Sequence, residues 1–345
     1  MVKLKKLNRI LFLGRNTLSS RHKYLCLKNI CKSIDIIDAS NILYFEKITG
    51  RIFFHFSSKI FASLINWYVV SKIKKQYDLI FVDDGEFINE RLINFLKTKT
   101  KKIIYYCNDN PFVKRDKKKW QLSLPSLKHY DLIIFHNKSR IKPSKKYGVK
   151  NYLLVLPSYQ KKIHTPQSNF GKKSRKYKYD VIFIGTWETY RGIFFKKLIE
   201  NGINIKIFGN LWHKDKYYDF LKPYIILGHV HDPNYSKLIY HSKIAICLPS
   251  VGNNDDITKR SIEIPAIGTL LMAKKTETHT KTFIDNQEAI FFKDAKDCYN
   301  KCKELLLNQR KIEKISYKGH LKVTKILKTD FESVIKNIVK KTFGK

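Results

Sequence analysis

Short, uninterrupted runs of β-branched and aromatic residues recur along this chain, and longer stretches with helical spacing separate them. Runs that are continuous rather than alternating are typical of strands covered on both faces, as in parallel sheets. The predicted strands of the first half are Arg9–Leu13, Ile34–Ile37, Leu79–Val82, Ile103–Cys107, Leu132–Phe135 and Tyr152–Val155. Those of the second half are Val181–Ile184, Ile203–Phe208, Tyr224–Leu227, Ile244–Leu248, Thr269–Met272 and Ala289–Phe292. Two such series predict an α/β protein of two doubly wound domains that face a central cleft.

A change of composition marks the boundary between the two series. The stretch after residue 156 holds two prolines, a glycine and a dense basic run, and it lacks apolar periodicity, which is typical of a linker. The predicted divisions are a first domain over residues 1–158, a linker over 159–178, a second domain over 179–325 and a C-terminal helical tail over 326–345. Because ligands of doubly wound domains bind at the carboxyl ends of the strands, functional residues are expected in the loops that follow them.

The chain is strongly basic: its 345 residues include 68 Lys and Arg against 29 Asp and Glu, a formal net charge of +39. An apolar content of 43% excludes a disordered polyelectrolyte, and six cysteines without a CxxC pair exclude a disulfide scaffold. The first apolar run is too short for a signal peptide, and no segment has about 18 uninterrupted apolar residues. We expect a cytoplasmic protein with reduced thiols, whose charge attracts nucleic acid, an anionic membrane surface or a phosphorylated substrate.

The first motif that suits ligand binding is the segment 180–192, where a predicted strand ends at Gly185 and a helix follows. Gly185 allows a ligand to approach the backbone closely, and the N–H groups of the helix beyond Thr186 suit a phosphate. Arg191 would add a bidentate contact. The pattern is neither GxGxxG nor a P-loop, and the alternative is an ordinary βα turn.

The second motif is the segment 253–271, a polar turn followed by a short helix and a buried strand. Asp255 and Glu263 are eight residues apart, just over two helical turns, so a helix that includes both would place their carboxylates on one side. Glu263 lies between Ile262 and Ile264, and a carboxylate in an apolar helix is costly without partners. The alternative is an Asp at the helix N-cap and a solvated Glu.

The segment Arg260–Gly268 reads Arg-Ser-Ile-Glu-Ile-Pro-Ala-Ile-Gly, which resembles the Arg-x-Phe-Glu-Ile-Pro-Ala-x-Gly signature of the CgeB-like (spore maturation protein type) glycosyltransferases. The other segments similar to this family are Tyr105–Phe112, His164–Pro166, Tyr179–Gly185 with Arg191, Leu271–Ala273, Thr276–His279 with Phe283, and Glu288–Phe292. The resemblance is strong over residues 179–325, weaker over 75–166 and absent before that. Ile262 stands where the family usually has Phe, which changes the packing beside the Glu but leaves its carboxylate.

The resemblance implies a GT-B fold, in which two Rossmann-like domains are present and the second binds a nucleotide-sugar. This region is also similar to retaining family 4 glycosyltransferases, which carry an acidic pair eight residues apart. By that similarity Glu263 would hydrogen-bond the ribose hydroxyls of the donor. Asp255 would lie near the donor sugar as a catalytic candidate, and Asp256 competes with it for that role.

The resemblance further implies how the leaving group is stabilised. Arg191, with Lys259 or Arg260, would neutralise the diphosphate as the glycosyl–phosphate bond breaks, together with helix N–H groups near Gly185 and Thr186. Enzymes with this fold typically work without a metal. We therefore expect no metal and no cofactor, with a nucleotide-diphosphate sugar as the donor substrate.

In the first domain, a predicted strand leads into a loop that contains Asp109, which is a catalytic candidate through contact with the acceptor or the donor sugar. An Asx turn before Pro111 is the alternative interpretation. After the first strand, Gly14 and Asn16 are candidate substrate-binding residues that would line the cleft. A plain turn explains them equally well.

The expected function is glycosyl transfer to a glycan or lipid-linked acceptor in cell-surface polysaccharide synthesis, at the inner face of the membrane. Much of the positive charge lies in Lys97–Lys102, Lys114–Lys119, Lys142–Lys150 and Lys172–Lys178. This distribution favours an anionic lipid surface or a phosphate-bearing acceptor, and no nucleic acid partner is expected. A basic nucleic-acid-binding protein and a GT-B protein without catalysis are the alternatives, although no RRM, KH, zinc-finger or helix-turn-helix signature occurs.

Two weaker features are open to two interpretations each. The segment Lys47–Tyr77 has six Lys or Arg and no acid among many apolar residues. It predicts either an amphipathic helix on an anionic membrane or a helix that faces the core of the first domain. His229 and His231 are either metal ligands or part of a surface loop.

Overall fold

The computed structural model of the chain divides into two compact units. Unit 1 comprises Met1–Leu156, Gly252–Asn254 and Phe331–Lys345, and unit 2 comprises Pro157–Val251 and Asp255–Asp330. The residues that the structure describes are 6–15, 17–38, 58–167 and 175–344. The break near residue 156 falls where the apolar periodicity of the sequence ends.

Unit 1 is built on a parallel sheet of six described strands in the order β2-β1-β3-β4-β5-β6. The strands β1 to β6 are Leu7–Leu13, Cys31–Ile37, Leu79–Asp83, Ile103–Tyr106, Leu132–Phe135 and Tyr152–Leu154. The helices α1 to α4 are Leu18–Lys28, Ala62–Lys72, Glu90–Thr98 and Ile141–Lys145. Ile80 and Val82 belong to one apolar cluster and Phe81 to another. Both faces of the sheet are therefore buried, which is why its strands read as continuous apolar runs.

Unit 2 repeats this plan with a parallel sheet in the order β12-β11-β10-β7-β8-β9. The strands β7 to β12 are Tyr179–Ile184, Ile205–Gly209, Ile225–Leu227, Ser242–Cys247, Leu270–Lys274 and Ile290–Phe292. The helices α5 to α11 are Thr189–Glu200, Tyr218–Leu221, Asn234–Tyr240, Lys259–Ile267, Glu277–Thr282, Ala295–Leu306 and Gln309–Leu321. Its core joins the sheet to α5, α10 and α11 through buried residues such as Phe195, Met272 and Cys298.

The strand registers place equivalent loops at one edge of each sheet. In unit 1, Leu13 pairs with Val82 and Asp83 pairs with Tyr106. In unit 2, the last residues of neighbouring strands are aligned in the same way. The loops that follow β1, β3 and β4, and those that follow β7, β8 and β10, are therefore close together within their own sheets.

The last helix, α12 (Phe331–Thr342), belongs to unit 1. Ile335, Ile338 and Val339 on one side of it are buried against strand residues that include Ile10 and Phe12. An amphipathic helix gains stability by covering such an apolar face. The structure thus divides the predicted tail 326–345: residues up to Asp330 group with unit 2, and the helix groups with unit 1.

The predicted α/β architecture of two doubly wound parallel sheets is confirmed. Each predicted strand coincides with a strand of the structure, and the differences are a few residues at strand ends. Within the described residues, no helix combines the length and apolar character needed to cross a membrane.

Candidate active site

Two glycines bring the loops after β7 and β8 into close contact in unit 2. The Gly185 N–H donates to the carbonyl of Phe208 over 2.8 Å, and a Cβ on Gly209 would lie 2.1 Å from the Gly185 carbonyl oxygen. A Cβ on Gly185 would lie 2.6 Å from the Phe183 ring. Packing alone therefore requires Gly185, whereas the neighbouring Thr186 is exposed.

Arg191, in the first turn of α5, is buried and ties neighbouring loops together. Its Nη2 donates to the Leu248 carbonyl over 3.2 Å and lies 2.9 Å from the Glu188 carboxylate. Its Nη1 donates to the Thr186 carbonyl. Glu188 in turn accepts from the N–H of Val251 over 2.9 Å. The guanidinium thus fixes the loops after β7 and β10 to each other, and its predicted contact with a diphosphate stays a prediction.

Helix α8 begins after Asp255 and Asp256. Thr258 is its N-cap, and Thr258 and Ser261 form a capping box in which the Thr258 N–H donates to the Ser261 hydroxyl over 3.2 Å. Asp255 therefore lies in the preceding loop and not on the helix. The inference that Asp255 and Glu263 share one helical face is wrong, and so is the alternative of an Asp N-cap, because the Thr–Ser capping box starts the helix after both aspartates.

The two aspartates before α8 have different surroundings. The Asp256 carboxylate accepts from the Thr278 hydroxyl, and its carbonyl accepts from the Thr276 hydroxyl over 2.7 Å. Asp256 thereby holds the start of α9. The backbone N–H of Asp255 donates to the Ser250 carbonyl over 2.9 Å, and its side chain is half-buried. Both remain catalytic candidates.

Glu263 interrupts an otherwise buried stretch. Every other residue from Ser261 to Ala273 is buried, whereas the Glu263 side chain keeps 14% of its surface exposed. Its Oε1 lies 4.0 Å from Nδ1 of His164. The expectation that this carboxylate needs partners therefore agrees with its surroundings, and it also remains accessible from outside the protein.

His164 is buried between two carboxylates of unit 2. Its Nε2 lies 3.2 Å from Asp232 Oδ1, while its Nδ1 accepts from the Gln160 N–H over 3.1 Å and faces Glu263. Burial lowers the pKa of His164, but the hydrogen bond to Asp232 and the charge of Glu263 outweigh it and raise that pKa. His164 thus links the linker region to the helix that carries Glu263.

A second buried histidine supports the N-terminus of α8. His279 Nε2 lies 2.8 Å from the Ser261 hydroxyl, and Nδ1 lies 2.9 Å from the Lys274 carbonyl. Burial lowers the pKa of His279 to about 4, so the ring is neutral near pH 7. A neutral ring that donates to Lys274 accepts the hydrogen bond from Ser261.

Two cations occupy the first turn of α8. Lys259 and Arg260 are both half-buried, and the turn contains no acid. Arg260 Nε is buried without a hydrogen-bond partner. Cations next to the positive end of a helix dipole are unfavourable unless an anion is present. This end of α8 is therefore suited to an anionic group.

Comparison with known proteins gives the following similarities. Residues 191–329 match a family model described as "Glycosyl transferase-like". Sucrose-phosphate synthase from Thermosynechococcus elongatus is 11% identical, with a TM-score of 0.69 over 96% of this chain and 98% of that one. Anabaena HepE in complex with UDP and glucose is 10% identical, with a TM-score of 0.62 over 98% of this chain and 100% of that one. TarM from S. aureus is 14% identical, with a TM-score of 0.62 over 81% of this chain and 58% of that one. A sequence search of curated proteins gave no significant match.

The chain has the GT-B fold of these structures, and its residues 191–329 match a glycosyl transferase-like family. The family match covers most of unit 2, and the solved structures extend the GT-B likeness over nearly the whole chain. The predicted GT-B fold is confirmed. The narrower CgeB-like subtype is not confirmed and stays a prediction.

In unit 1 of this GT-B protein, the loop candidates fall at the carboxyl ends of the strands. The Gly14 N–H donates to the Ile37 carbonyl over 3.1 Å, and a Cβ on Gly14 would lie 2.9 Å from the Asp83 Cβ. Packing between β1 and β3 therefore requires this glycine. Asn16 lies outside the described residues.

Asp109 is half-exposed and pairs with cations of its own unit. Its carboxylate lies 2.8 Å from Arg115 Nη2 and 3.9 Å from Lys119 Nζ. The turn before Pro111 is made by Asn110, whose Oδ1 accepts from the Phe112 N–H over 3.1 Å. The alternative role of Asp109 as an Asx-turn residue is therefore wrong, because the side chain of Asn110 takes that place.

An acidic segment, made by the last residue of β3 and the loop after it, was not among the residues predicted from the sequence. Asp83 is buried in an ion pair with the fully buried Lys23, and Glu86 pairs with Arg15. Asp84, at φ 64°, accepts from the Asn108 N–H over 3.4 Å. Three acids in the four residues 83–86, at the end of a buried strand and in a chain so rich in cations, were the available signal. This loop adds acidic groups to the edge of the sheet where Asp109 lies.

The two remaining histidine candidates lie near each other in unit 2. The ring centroids of His229 and His231 are 5.6 Å apart, and both line a cavity of about 560 Å³. Among the described residues, no group of three or more His, Cys, Asp or Glu is arranged to hold a metal ion.

Proposed function

We propose that this GT-B protein transfers a glycosyl group from a nucleotide-diphosphate sugar to a glycan or lipid-linked acceptor in cell-surface polysaccharide synthesis. The proposal includes retention of configuration, catalysis without a metal, and a protein that works on the surface of a membrane. The observation that carries it is Glu263, a carboxylate accessible from solvent in the middle of a buried stretch of the family-matched segment.

The surroundings of Glu263 support a role in binding the nucleotide. A carboxylate is an acceptor for two vicinal hydroxyls, as on a ribose. His164, whose Nδ1 lies 4.0 Å from the carboxylate, is itself held by hydrogen bonds with Asp232 and Gln160. A binding group fixed by its neighbours loses less entropy when the ligand binds.

The N-terminus of α8 supports stabilisation of the leaving group. When the glycosyl–phosphate bond breaks, negative charge grows on the diphosphate, and fixed cations and helix N–H groups lower the barrier. Lys259 and Arg260 supply such charge four and three residues before Glu263. In this proposal Arg191 acts by holding the loops after β7 and β10, and Asp255, Asp256 and Asp109 are the candidates that contact the sugars.

The donor is tested first with uridine nucleotides, because solved structures with the same fold include HepE in complex with UDP-glucose and a UDP-forming trehalose-phosphate synthase from Burkholderia xenovorans. We expect UDP or a UDP-sugar to raise the melting temperature of the purified protein. Glu263→Gln should weaken this binding roughly tenfold or more, since a hydrogen bond to a charged group contributes about 1.5–3 kcal/mol.

The matched control is Glu304→Gln, which changes an exposed carboxylate of the same unit. The control should bind like the wild type. If no nucleotide or nucleotide-sugar shifts the melting temperature, and Glu263→Gln has no effect, the proposal is wrong. Donor binding without transfer to any acceptor would favour the alternative of a GT-B protein without catalysis, and transfer that persists with EDTA would support the metal-independent mechanism.

A further inference from the structure

Helix α2 of unit 1 is apolar around its circumference but only one side of it is buried. Ile65 and Val69 pack in the core of unit 1. On the other side, Leu64, Trp67 and Val70 are 44%, 66% and 37% exposed. A helix that is apolar all round is normally buried all round. The outer side of α2 therefore has the composition of a surface that another apolar medium covers.

Asn66 and Trp67, in the middle of α2, face the opposite directions from those expected in a helix surrounded by water. Asn66 faces inward, where its amide donates to Asn89 Oδ1 over 3.2 Å. Trp67 faces outward, whereas Trp120 and Trp212 are buried. The inward Asn is accommodated by a specific hydrogen bond, but nothing in the described part of unit 1 requires an exposed Trp. An exposed Trp with aliphatic neighbours is typical of a contact surface.

The charge around this face is of one sign. Lys72, Lys74 and Lys75 are exposed at its C-terminal end, Lys59 is exposed before it, and the stretch 58–77 contains no acid. An apolar stripe bordered by cations is the pattern of helices that lie in the interface of an anionic bilayer. Nucleic acid would also attract the lysines, but the phosphate backbone that they would contact offers no apolar surface for Leu64 and Val70.

We propose that the outer face of α2 (Leu64, Trp67 and Val70 with Lys72, Lys74 and Lys75) docks on a bilayer that contains anionic lipids. The apolar residues enter the interfacial region and the lysines face the headgroups. The proposal rests on the membrane-surface part of the proposed function and names the surface responsible. It involves no residue of the donor site, so the two proposals are tested by separate measurements.

The test uses the full chain and lipid vesicles. Vesicles of phosphatidylcholine with phosphatidylglycerol should sediment the protein and shift its tryptophan emission to the blue, and brominated lipids should quench that emission. Pure phosphatidylcholine should do so much less. Trp67→Phe should remove the blue shift, since Trp67 is the tryptophan at the docking face, while leaving UDP binding unchanged.

Two variants measure the two parts of the surface. Trp67→Ala should weaken vesicle binding at least tenfold, because Trp and its neighbours supply the buried apolar area. Exchange of Lys72, Lys74 and Lys75 for Gln should weaken binding to anionic vesicles by roughly fivefold per lysine. Raising the salt concentration should reduce the difference in vesicle binding between the wild type and this triple variant, because exposed charges are screened.

The controls have the same chemistry elsewhere. Leu307→Ala removes a side chain that is 91% exposed in unit 2, and Gln at Lys296, Lys303 and Lys314 removes three exposed charges there. Both should bind vesicles like the wild type, and far-ultraviolet circular dichroism should show all variants to be folded. The proposal fails if the wild type ignores anionic vesicles, if the control variants lose as much binding as the α2 variants, or if Trp67→Ala instead converts a dimer into a monomer.

Discussion

His279 makes the stability of unit 2 depend on pH. Its ring accepts from Ser261 and donates to the Lys274 carbonyl, and burial lowers its pKa from 6.5 to about 4. Between these two values the unfolded chain binds a proton that the folded chain does not. The stabilisation is therefore complete above about pH 6.5 and is lost as the pH falls towards 4, by about 3 kcal/mol in total.

This pH dependence is measured by urea unfolding at several pH values between 4 and 7.5. His279→Gln should flatten the dependence relative to the wild type, although it also lowers stability at pH 7.5 through the lost hydrogen bonds. His213→Gln, at an exposed histidine of the same unit, should leave the slope unchanged. Equal slopes for the wild type and His279→Gln would contradict the prediction.

At the scale of single residues, the sequence does not predict contacts between residues that are distant along the chain. An apolar helix with a carboxylate predicts that Glu263 needs partners, and the structure places His164 4.0 Å away. The sequence does not predict that partner, nor the pairing of Lys23 with Asp83 across 60 residues, because both depend on how the sheets position the intervening chain. By contrast, Gly185 lies in the loop after β7 as predicted.

At the scale of the element, α8 depends on its cap. The Thr258–Ser261 capping box satisfies N–H groups at the start of a helix that carries Lys259, Arg260 and Glu263. Thr258→Ala should lower the free energy of unfolding by about 1 kcal/mol. It should also weaken nucleotide binding, because a frayed first turn no longer holds the two cations in place.

Thermal unfolding and nucleotide titration measure the two effects. Thr189→Ala changes an exposed threonine at the start of α5 and serves as the control, for which we expect little change. A Thr258→Ala protein as stable as this control would show that the cap contributes little to α8.

Strands were easier to predict than helix boundaries in this chain, for a physical reason. Strand residues such as Ile80, Phe81 and Val82 are all buried, so their apolar side chains recur without interruption. The start of α8 depends instead on one threonine and one serine among several polar residues that are able to cap. By composition, Asp255 is as plausible an N-cap or helix residue as Thr258, which is why a helix that includes Asp255 was considered.

At the scale of the whole molecule, the net charge of +39 and the two-sheet fold depend on different features of the sequence. The two apolar periodicities predicted the two-sheet architecture, and the charge contributed nothing to it. Ion pairs take up part of the charge, as Arg115 and Lys119 do with Asp109. Elsewhere it borders an apolar surface, as on α2. A net charge therefore gains functional meaning only when the side chains around it are known.

Because each unit has its own sheet and core, the chain is expected to unfold in two transitions. Ile338 in α12 is fully buried in unit 1, and Ile315 in α11 is buried in unit 2. Ile338→Ala should destabilise the first unit, and Ile315→Ala the second, each by about 2–5 kcal/mol through loss of contacts and the cavity left behind.

Scanning calorimetry of the two variants, with and without UDP, separates these transitions. The candidate nucleotide site lies in unit 2, whose transition Ile315→Ala lowers. If that site is correct, UDP at 100 times its Kd should stabilise this transition by about 3 kcal/mol. The transition lowered by Ile338→Ala should stay where it is. A single transition that all three changes move together would mean that the two units unfold as one, and UDP acting on the transition of unit 1 would contradict the placement of the donor site on α8.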